Sequence, residues 1–181
     1  MEGIGKILEN KTIYLRKVEP EDIDFLYSIE NDPNIWFVSE TKTPFSRWQI
    51  KEHIKNSAYD IYTIRELRLI IEITKTREQV GIVDLFDFDP FNLRAGIGIV
   101  VSKKFQNQNI ASEALETTIN YCIKILKINQ LWCNIDSENT RSINLFNTKF
   151  GFKHNGNLKS WKKNGNIFSD VYFYQLIFNE S

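Results

Sequence analysis

The chain has 181 residues, 42% of them apolar, 13% aromatic and 25% charged, close to the averages of globular domains and far from disordered, collagen-like or membrane compositions. Lysine plus arginine and aspartate plus glutamate each number 23, and this balance argues against capture of nucleic acid or an anionic membrane over a whole face, which needs clustered and unopposed basic residues. A local anion site remains open.

The first residues, MEGIGKILEN, lack the apolar run of a signal peptide, and no stretch of about 18 apolar residues follows. A cytoplasmic protein with one domain over residues 1–181 is expected, since no linker or repeat divides the chain. TIYLRKV (Thr12 to Val18) alternates as a strand. Pro20, with Glu21, Asp22 and Asp24 behind it, opens a helix reaching about Glu30. Ser46 and Gln49 match a capping box, which starts a helix from Phe45 to about Asn56.

LRLIIEIT (Leu67 to Thr74), VGIVDLFDFD (Val80 to Asp89) and RAGIGIVV (Arg94 to Val101) read as an antiparallel meander. The near-continuous apolar run of RAGIGIVV suits a strand covered on both faces. From Gln108 to Leu126 apolar residues recur at three and four, an amphipathic helix with Cys122 on its apolar side. QLWCNID (Gln130 to Asp136) is a strand and Asn139 to about Lys149 a helix. Phe152 to Phe178 reads as two strands around the Asn164-Gly165 turn. The order β, α, α, β, β, β, α, β, α, β, β contains one strand–helix–strand crossover, expected to be right-handed and locally parallel. Cys122 and Cys133 are too few for a disulfide framework and lack metal-ligand spacing, so both are read as reduced core residues and no metal is expected.

Between RAGIGIVV and its helix lies SKKFQNQNIASEAL (Ser102 to Leu115). A polar turn feeding a helix start exposes unpaired backbone N–H groups, a ready anion site, and Lys103 and Lys104 add positive charge there. This segment resembles the GCN5-related N-acetyltransferase (GNAT) superfamily, whose pyrophosphate loop Gln/Arg-x-x-Gly-x-Gly/Ala is matched by Gln106-Asn107-Gln108-Asn109-Ile110-Ala111. SENTRSINLFNTKFGF (Ser137 to Phe152) is similar to its Asn-x-x-Ala/Ser…Leu-Tyr…Gly-Phe segment, and GIVDLFDFDPFNLRAGIGI to the branch of ribosomal-protein and spermidine acetyltransferases.

The resemblance implies an α/β (α+β) fold: a mixed, mostly antiparallel sheet of about seven strands flanked by about four helices. It implies acetyl-CoA as co-substrate, held by Val100, Val101, Gln106, Asn107, Gln108, Asn109, Ile110, Ala111, Ser112, Asn139, Phe146 and Lys149. A backbone N–H near Val100 or Val101 would polarise the thioester carbonyl. The partners implied are acetyl-CoA and a primary amine, either a polyamine, another small amine or a protein N-terminus. Neither nucleic acid nor membrane is expected, and a homodimer or larger assembly is left open.

Four departures bear on chemistry. The loop has no glycine, yet Asn tolerates the left-handed conformation that glycine supplies. The segment reaching Gly151-Phe152 is one residue longer than usual. Phe146 stands at the catalytic position where the family often carries a Tyr general acid, leaving water, Thr148 or another Tyr to replace it. Gly96 stands where many relatives carry Glu, which weakens the polyamine case. Asp84 is the favoured general base among Asp84, Asp87, Asp89 and Glu72. By parity it shares a face with Ile82, Phe86 and Phe88, whereas Asp87 lies with Val83 and Leu85.

Plainer readings stand beside these. Asn139 suits a helix N-cap, and His53 and His154 lack partners at ligand spacing. Trp36, Phe37, Trp48 and Tyr59 could wall an amine pocket or pack a core. Glu30, Asp32 and Glu40 could attract a polycation or be solvated, and the neutral total could hide an acidic acceptor side opposite the basic loop. A non-catalytic acyl-CoA-binding or interaction domain with the same fold is the alternative, drawing on Phe146, Gly96 and the loop without glycine.

Overall fold

A computed structural model describes residues 4–39 and 43–178. Its strands are β1 (Ile13–Lys17), β2 (Leu67–Ile73), β3 (Gln79–Asp89), β4 (Arg94–Val101), β5 (Gln130–Asp136), β6 (Lys153–Asn164) and β7 (Ile167–Ile177). They form one seven-stranded sheet in the order β1-β2-β3-β4-β5-β7-β6. All neighbours are antiparallel except β4 and β5, joined in parallel by the central crossover. Helices of seven residues or more are α2 (Ile23–Glu30), α3 (Pro33–Ser39), α4 (Arg47–Asn56) and α6 (Ile110–Tyr121). Four-residue helices are α1 (Ile4–Ile7), α5 (Ile61–Ile64) and α7 (Thr140–Ile143).

The sheet buries both faces because its strands carry apolar side chains at both parities. On one face Leu69, Val83, Leu85, Ile97, Leu131 and Cys133 pack against Ile110, Ala114 and Leu115 of α6. On the other, Ile70 and Ile82 meet Leu26 and Ile29 of α2 and Ile50 and Ile54 of α4. Each such fully buried side chain contributes about 1.5–3 kcal/mol. The expected capping box is present: Ser46 Oγ accepts from Gln49 N–H at 3.2 Å while Gln49 Oε1 accepts from Ser46 N–H at 2.8 Å.

Three expectations change. The helix α3 was not read from the sequence, although Asp32 before Pro33 is a start signal, an acceptor cap ahead of a first-turn proline; Asn34 N–H donates to Asp32 Oδ1 at 2.9 Å. The parity of β3 breaks at Asp87, whose φ of 48° marks a bulge against β4. Phe88 thereby joins the α6-side core with Val83 and Leu85, not the face of Ile82. Finally, the expected long helices end in wide π turns: α6 continues through Cys122–Leu126 and α7 through Asn144–Lys149.

Candidate functional site

The parallel pair β4 and β5 holds together at only three positions, Arg94↔Gln130, Ala95↔Leu131 and Gly96↔Trp132, and then parts. Ser102 N–H donates to Val80 O at 2.8 Å on the β3 side, while Leu93 O accepts from Asn129 N–H at 2.6 Å on the β5 side. Backbone direction alternates along a strand, so beyond the last paired row, in which Ile97 still faces β5, Ile99 and Val101 turn their amides into the gap. The amide of Val100 turns toward β3. Of the two residues expected to polarise a carbonyl, Val101 has the required direction.

The gap opens into a cleft of about 620 Å³. Its walls are Ile99, Val100 and Val101 of β4, Lys103 and Phe105 of the next turn, Gln106, Asn107 and Asn109 of the loop, and Ile110, Ala111 and Ser112 of the first turn of α6. Residues 138–142 with Leu145 and Phe146 close one side, and Asn34 and Ile35 of α3 the other. Most of the residues expected to bind coenzyme thus surround one cavity. Gln108 and Lys149 do not line it: Gln108 Nε2 donates to Lys104 O at 3.1 Å, and Lys149 Nζ to Asn109 Oδ1 at 2.8 Å.

Backbone geometry makes the loop an anion cradle. Asn107 (φ 63°) and Asn109 (φ 62°, ψ 3°) both occupy the left-handed region, which asparagine enters more readily than other side-chain-bearing residues. The first helical bond of α6 is Glu113 N–H to Asn109 O at 3.0 Å. The amides of Ile110, Ala111 and Ser112 therefore have no intrahelical acceptor and lie at the positive end of the helix dipole. Asn109 Nδ2 donates to Glu113 Oε1 at 3.0 Å. Gln106 Nε2 donates to Val101 O at 3.0 Å, and its Oε1 accepts from Arg141 Nη1, so one side chain ties the end of β4 to α7. Lys103 and Arg141 bring two positive charges to the lining against Glu138. Lys104 is turned away into an ion pair with Glu78 at 3.0 Å. Arg141 lies inside the quoted SENTRSIN segment but was missed, because only the register of α7 reveals that it reaches Gln106.

Asn139 caps α7, its Oδ1 accepting from Ser142 N–H at 3.1 Å, and it also lines the cleft. The following π turn absorbs the extra residue of this segment. Phe152 N–H donates to Phe146 O at 3.0 Å, and Gly151 takes φ 73°, so Gly151-Phe152 closes the turn despite the insertion. Phe146 reaches the cleft and packs edge-on against Phe152 with centroids 5.1 Å apart. Thr148, a possible replacement donor, is exposed and outside the cleft lining.

The carboxylates are placed differently from the expectation of a free base. Asp84 faces the α2 and α4 side opposite Gly98, but Arg68 grips both its oxygens at 2.7 and 2.8 Å and also pairs with Glu30. It lines a second cavity of about 390 Å³ with His53 and Phe86, not the cleft. Glu72 pairs with Arg16 at 2.6 Å, and Asp89 with Arg94 at 3.3 Å. The expected acidic acceptor side is thus only partly opposed: Glu30 and Asp84 share the single charge of Arg68, and Asp32 accepts from the neutral amide of Asn34. Glu40 and the side chain of Phe37 lie outside the described residues.

Trp36 donates to Glu30 O at 2.6 Å, and Trp48 (69% exposed) and Tyr59 (59%) lie on the surface. Burial pushes the Cys122 and Cys133 thiols up to about 12. His53 is held below its ordinary value by burial and by the Arg68 charge. Among the described residues no group of three or more His, Cys, Asp or Glu is arranged to hold a metal, and no helix is long and apolar enough to cross a membrane.

The cleft has what a nucleotide thioester needs: an apolar corridor beside an open strand edge, leading to free amides and two cations. Comparison agrees with that chemistry. The model of the acetyltransferase (GNAT) domain matches residues 12–153. An uncharacterized N-acetyltransferase, p20, of Bacillus licheniformis is 29% identical over 96% of this chain and 97% of its own length. The spermidine N(1)-acetyltransferase of Escherichia coli K12 is 25% identical over 81% of this chain and 76% of its own. A crystal structure of spermidine N-acetyltransferase from Vibrio cholerae with CoA and spermine superposes with a TM-score of 0.84 at 20% identity, covering 93% of this chain and 96% of that one. Fold, cleft and family model converge: the chain belongs to the GNAT acetyltransferase family.

Proposed function

We propose that the cleft between β4 and β5 binds acetyl-CoA and that the enzyme acetylates a primary amine by direct attack in a ternary complex. The observation that carries this is the parting of the two strands after Gly96↔Trp132, which turns the amides of Ile99 and Val101 toward a cavity ending at the α6 start. The backbone amides from Asn107 to Ser112, with Lys103 and Arg141, would hold the pyrophosphate. The open edge of β4 would pair with the amides of the pantetheine arm, leaving Val101 N–H to polarise the acyl carbonyl. The relatives named spermidine N-acetyltransferase support an amine acceptor.

When bound, the thioester supplies an acyl carbon at which a C–N bond forms as the C–S bond breaks; the departing thiolate takes up one proton and the amine gives one up. Phe146 keeps the thiol end apolar and contributes no proton. A thiol near pKa ~8.5 leaves without an obligatory acid, the missing assistance costing about 10²–10⁴ in rate. The amine is the larger barrier: deprotonating a group of pKa ~10.4 at pH 7 costs about 4.6 kcal/mol. With both oxygens of Asp84 held by Arg68, that proton leaves through water to solvent, and Asp84 serves to fix Arg68.

Calorimetric titration with acetyl-CoA, followed by measurement of thiol release over a panel of amines, tests the reading. Saturable binding with thiol release is expected. Binding without release on any amine would favour the non-catalytic acyl-CoA-binding domain, to which Phe146 lends its support. Absence of binding at millimolar acetyl-CoA would remove both.

A further inference from the structure

At the vertex where β4 and β5 part, three residues lie in one cross-strand row: Phe86, Gly96 and Trp132. Gly96 is required there by packing. A Cβ at that position would stand 2.3 Å from Phe86 Cε2, so the ring of Phe86 occupies the space above β4. It meets Trp132 edge-on across the glycine, centroids 5.1 Å apart, and Trp132 continues to Phe173 at 5.9 Å. The next row out, at Gly98, is open on the same face, where an added Cβ would approach only Phe86 Cε1 at 3.9 Å. A molecule reaching the gap from this face crosses the bare backbone of Gly98 with the three half-buried rings beside it.

Two carboxylates of this region, Asp84 in the row of Gly98 and Glu30, are held by Arg68, while Glu66 is exposed on the lining of the second cavity. A polycation needs carboxylates free to turn toward it, which neither Asp84 nor Glu30 is; a flat apolar body needs ring faces, and Phe86 is the group nearest an added Cβ at Gly98. Resting on the acetyl-transfer reading above, we infer that the preferred acceptor is a primary amine carried on an aromatic body. That body stacks on Phe86 and Trp132 and points its nitrogen over Gly98 toward the acyl carbon, where it gains the acetyl group and gives up one proton. Offset or edge-on aromatic contacts add about 0.5–1.5 kcal/mol beyond area burial, a preference of about 2- to 10-fold per ring contact.

The test is thiol release by the full chain at saturating acetyl-CoA, comparing tryptamine, 2-phenylethylamine, n-hexylamine, spermidine and a tripeptide with N-terminal Phe. The aromatic amines are expected to exceed spermidine and n-hexylamine by about tenfold in kcat/KM; the tripeptide arm tells a free amine from a peptide terminus. Trp132→Ala should cut the ratio of tryptamine to n-hexylamine about fivefold, mostly through KM, with Trp132→Phe restoring most of it. Acetyl-CoA affinity, read calorimetrically, should stay within about twofold, since Trp132 is not among the cleft lining. If the alanine variant does not fold, Phe86→Leu, which keeps apolar volume and removes the ring, carries the same comparison. Spermidine as the best substrate, or a ratio unmoved by these variants, overturns the inference and leaves the acetyltransferase reading intact. Acetyl-CoA binding with no thiol release on any of the five overturns that reading and this one together.

Discussion

Replacement of Asn109 separates what its backbone does from what its side chain does. The residue sits at φ 62° and ψ 3° at the start of α6, and its exposed side chain joins Glu113 to Lys149. A β-branched residue in the left-handed region costs about 1–2 kcal/mol, and the two lost surface contacts add about 0–1 kcal/mol each. In Asn109→Val the loop either keeps its shape and lowers the stability of the fold, or relaxes and must be rebuilt by the ligand. The second case raises the Kd for acetyl-CoA about 5- to 30-fold; the first lowers Tm by about 2–4 °C per kcal/mol. Asn109→Gly loses the same contacts but regains the conformation freely, so its Kd should stay within about threefold of the parent. Calorimetric titration and thermal melts of the three proteins give the answer. A valine variant with parental Kd and Tm, or a glycine variant as impaired as the valine one, would refute a cradle built on the left-handed backbone.

Arg16 bridges Asp22, which is 1% exposed, and Glu72; Arg16→Ala strands a buried carboxylate and should destabilise the fold by about 3–5 kcal/mol in denaturant titration, whereas a loss under 1 kcal/mol would mean that water reaches Asp22. His53 is depressed in the folded state by burial and by Arg68, against the pull of Asp84, Glu66 and Glu30. The unfolded chain therefore binds its proton first as pH falls, and stability should drop below about pH 6.5; this component should vanish in His53→Gln, and its persistence would assign the slope to other groups. Cys122 and Cys133, buried with thiols pushed up to about 12, should resist alkylation at pH 8 in the folded protein and both react in denaturant, as mass spectrometry would record. Because Asp84, the expected base, is held through both oxygens by Arg68, log kcat/KM should climb with pH at slope one up to the pKa of the acceptor; a plateau near pH 7 would indicate a protein base after all.

The strands were legible because alternation and turn residues are local: RAGIGIVV and QLWCNID begin and end where expected. The cleft was legible in part because a strand running into a polar helix start is also a local pattern. What escaped depended on register or on non-repetitive backbone. The bulge at Asp87 turned Phe88 to the other face. The grip of Arg68 on Asp84 joins positions 16 residues apart, and the hydrogen bond between Arg141 and Gln106 spans 35. No period in the sequence encodes either. The row of Phe86, Gly96 and Trp132 is likewise visible only once β3, β4 and β5 are laid side by side.

The departures from the family pattern divide along that same line. On the proposed reading the coenzyme half of the site works through backbone amides, so it would survive changes of side chain wherever the backbone path is preserved. Asn109 in the left-handed region stands in for the loop glycine, with Asn107 left-handed beside it, and a π turn absorbs the extra residue before Gly151-Phe152. The inferred acceptor half works through side chains projecting from β3, β4 and β5, where no backbone adjustment compensates a changed residue. Gly96 brings no carboxylate to the vertex of the gap and Phe146 no hydroxyl to the cleft, and rings pack at both positions instead. On this reading a chain so altered would keep the donor while its acceptor changes, because the phosphates would be recognised by groups that every residue possesses and the amine by groups that only particular residues have.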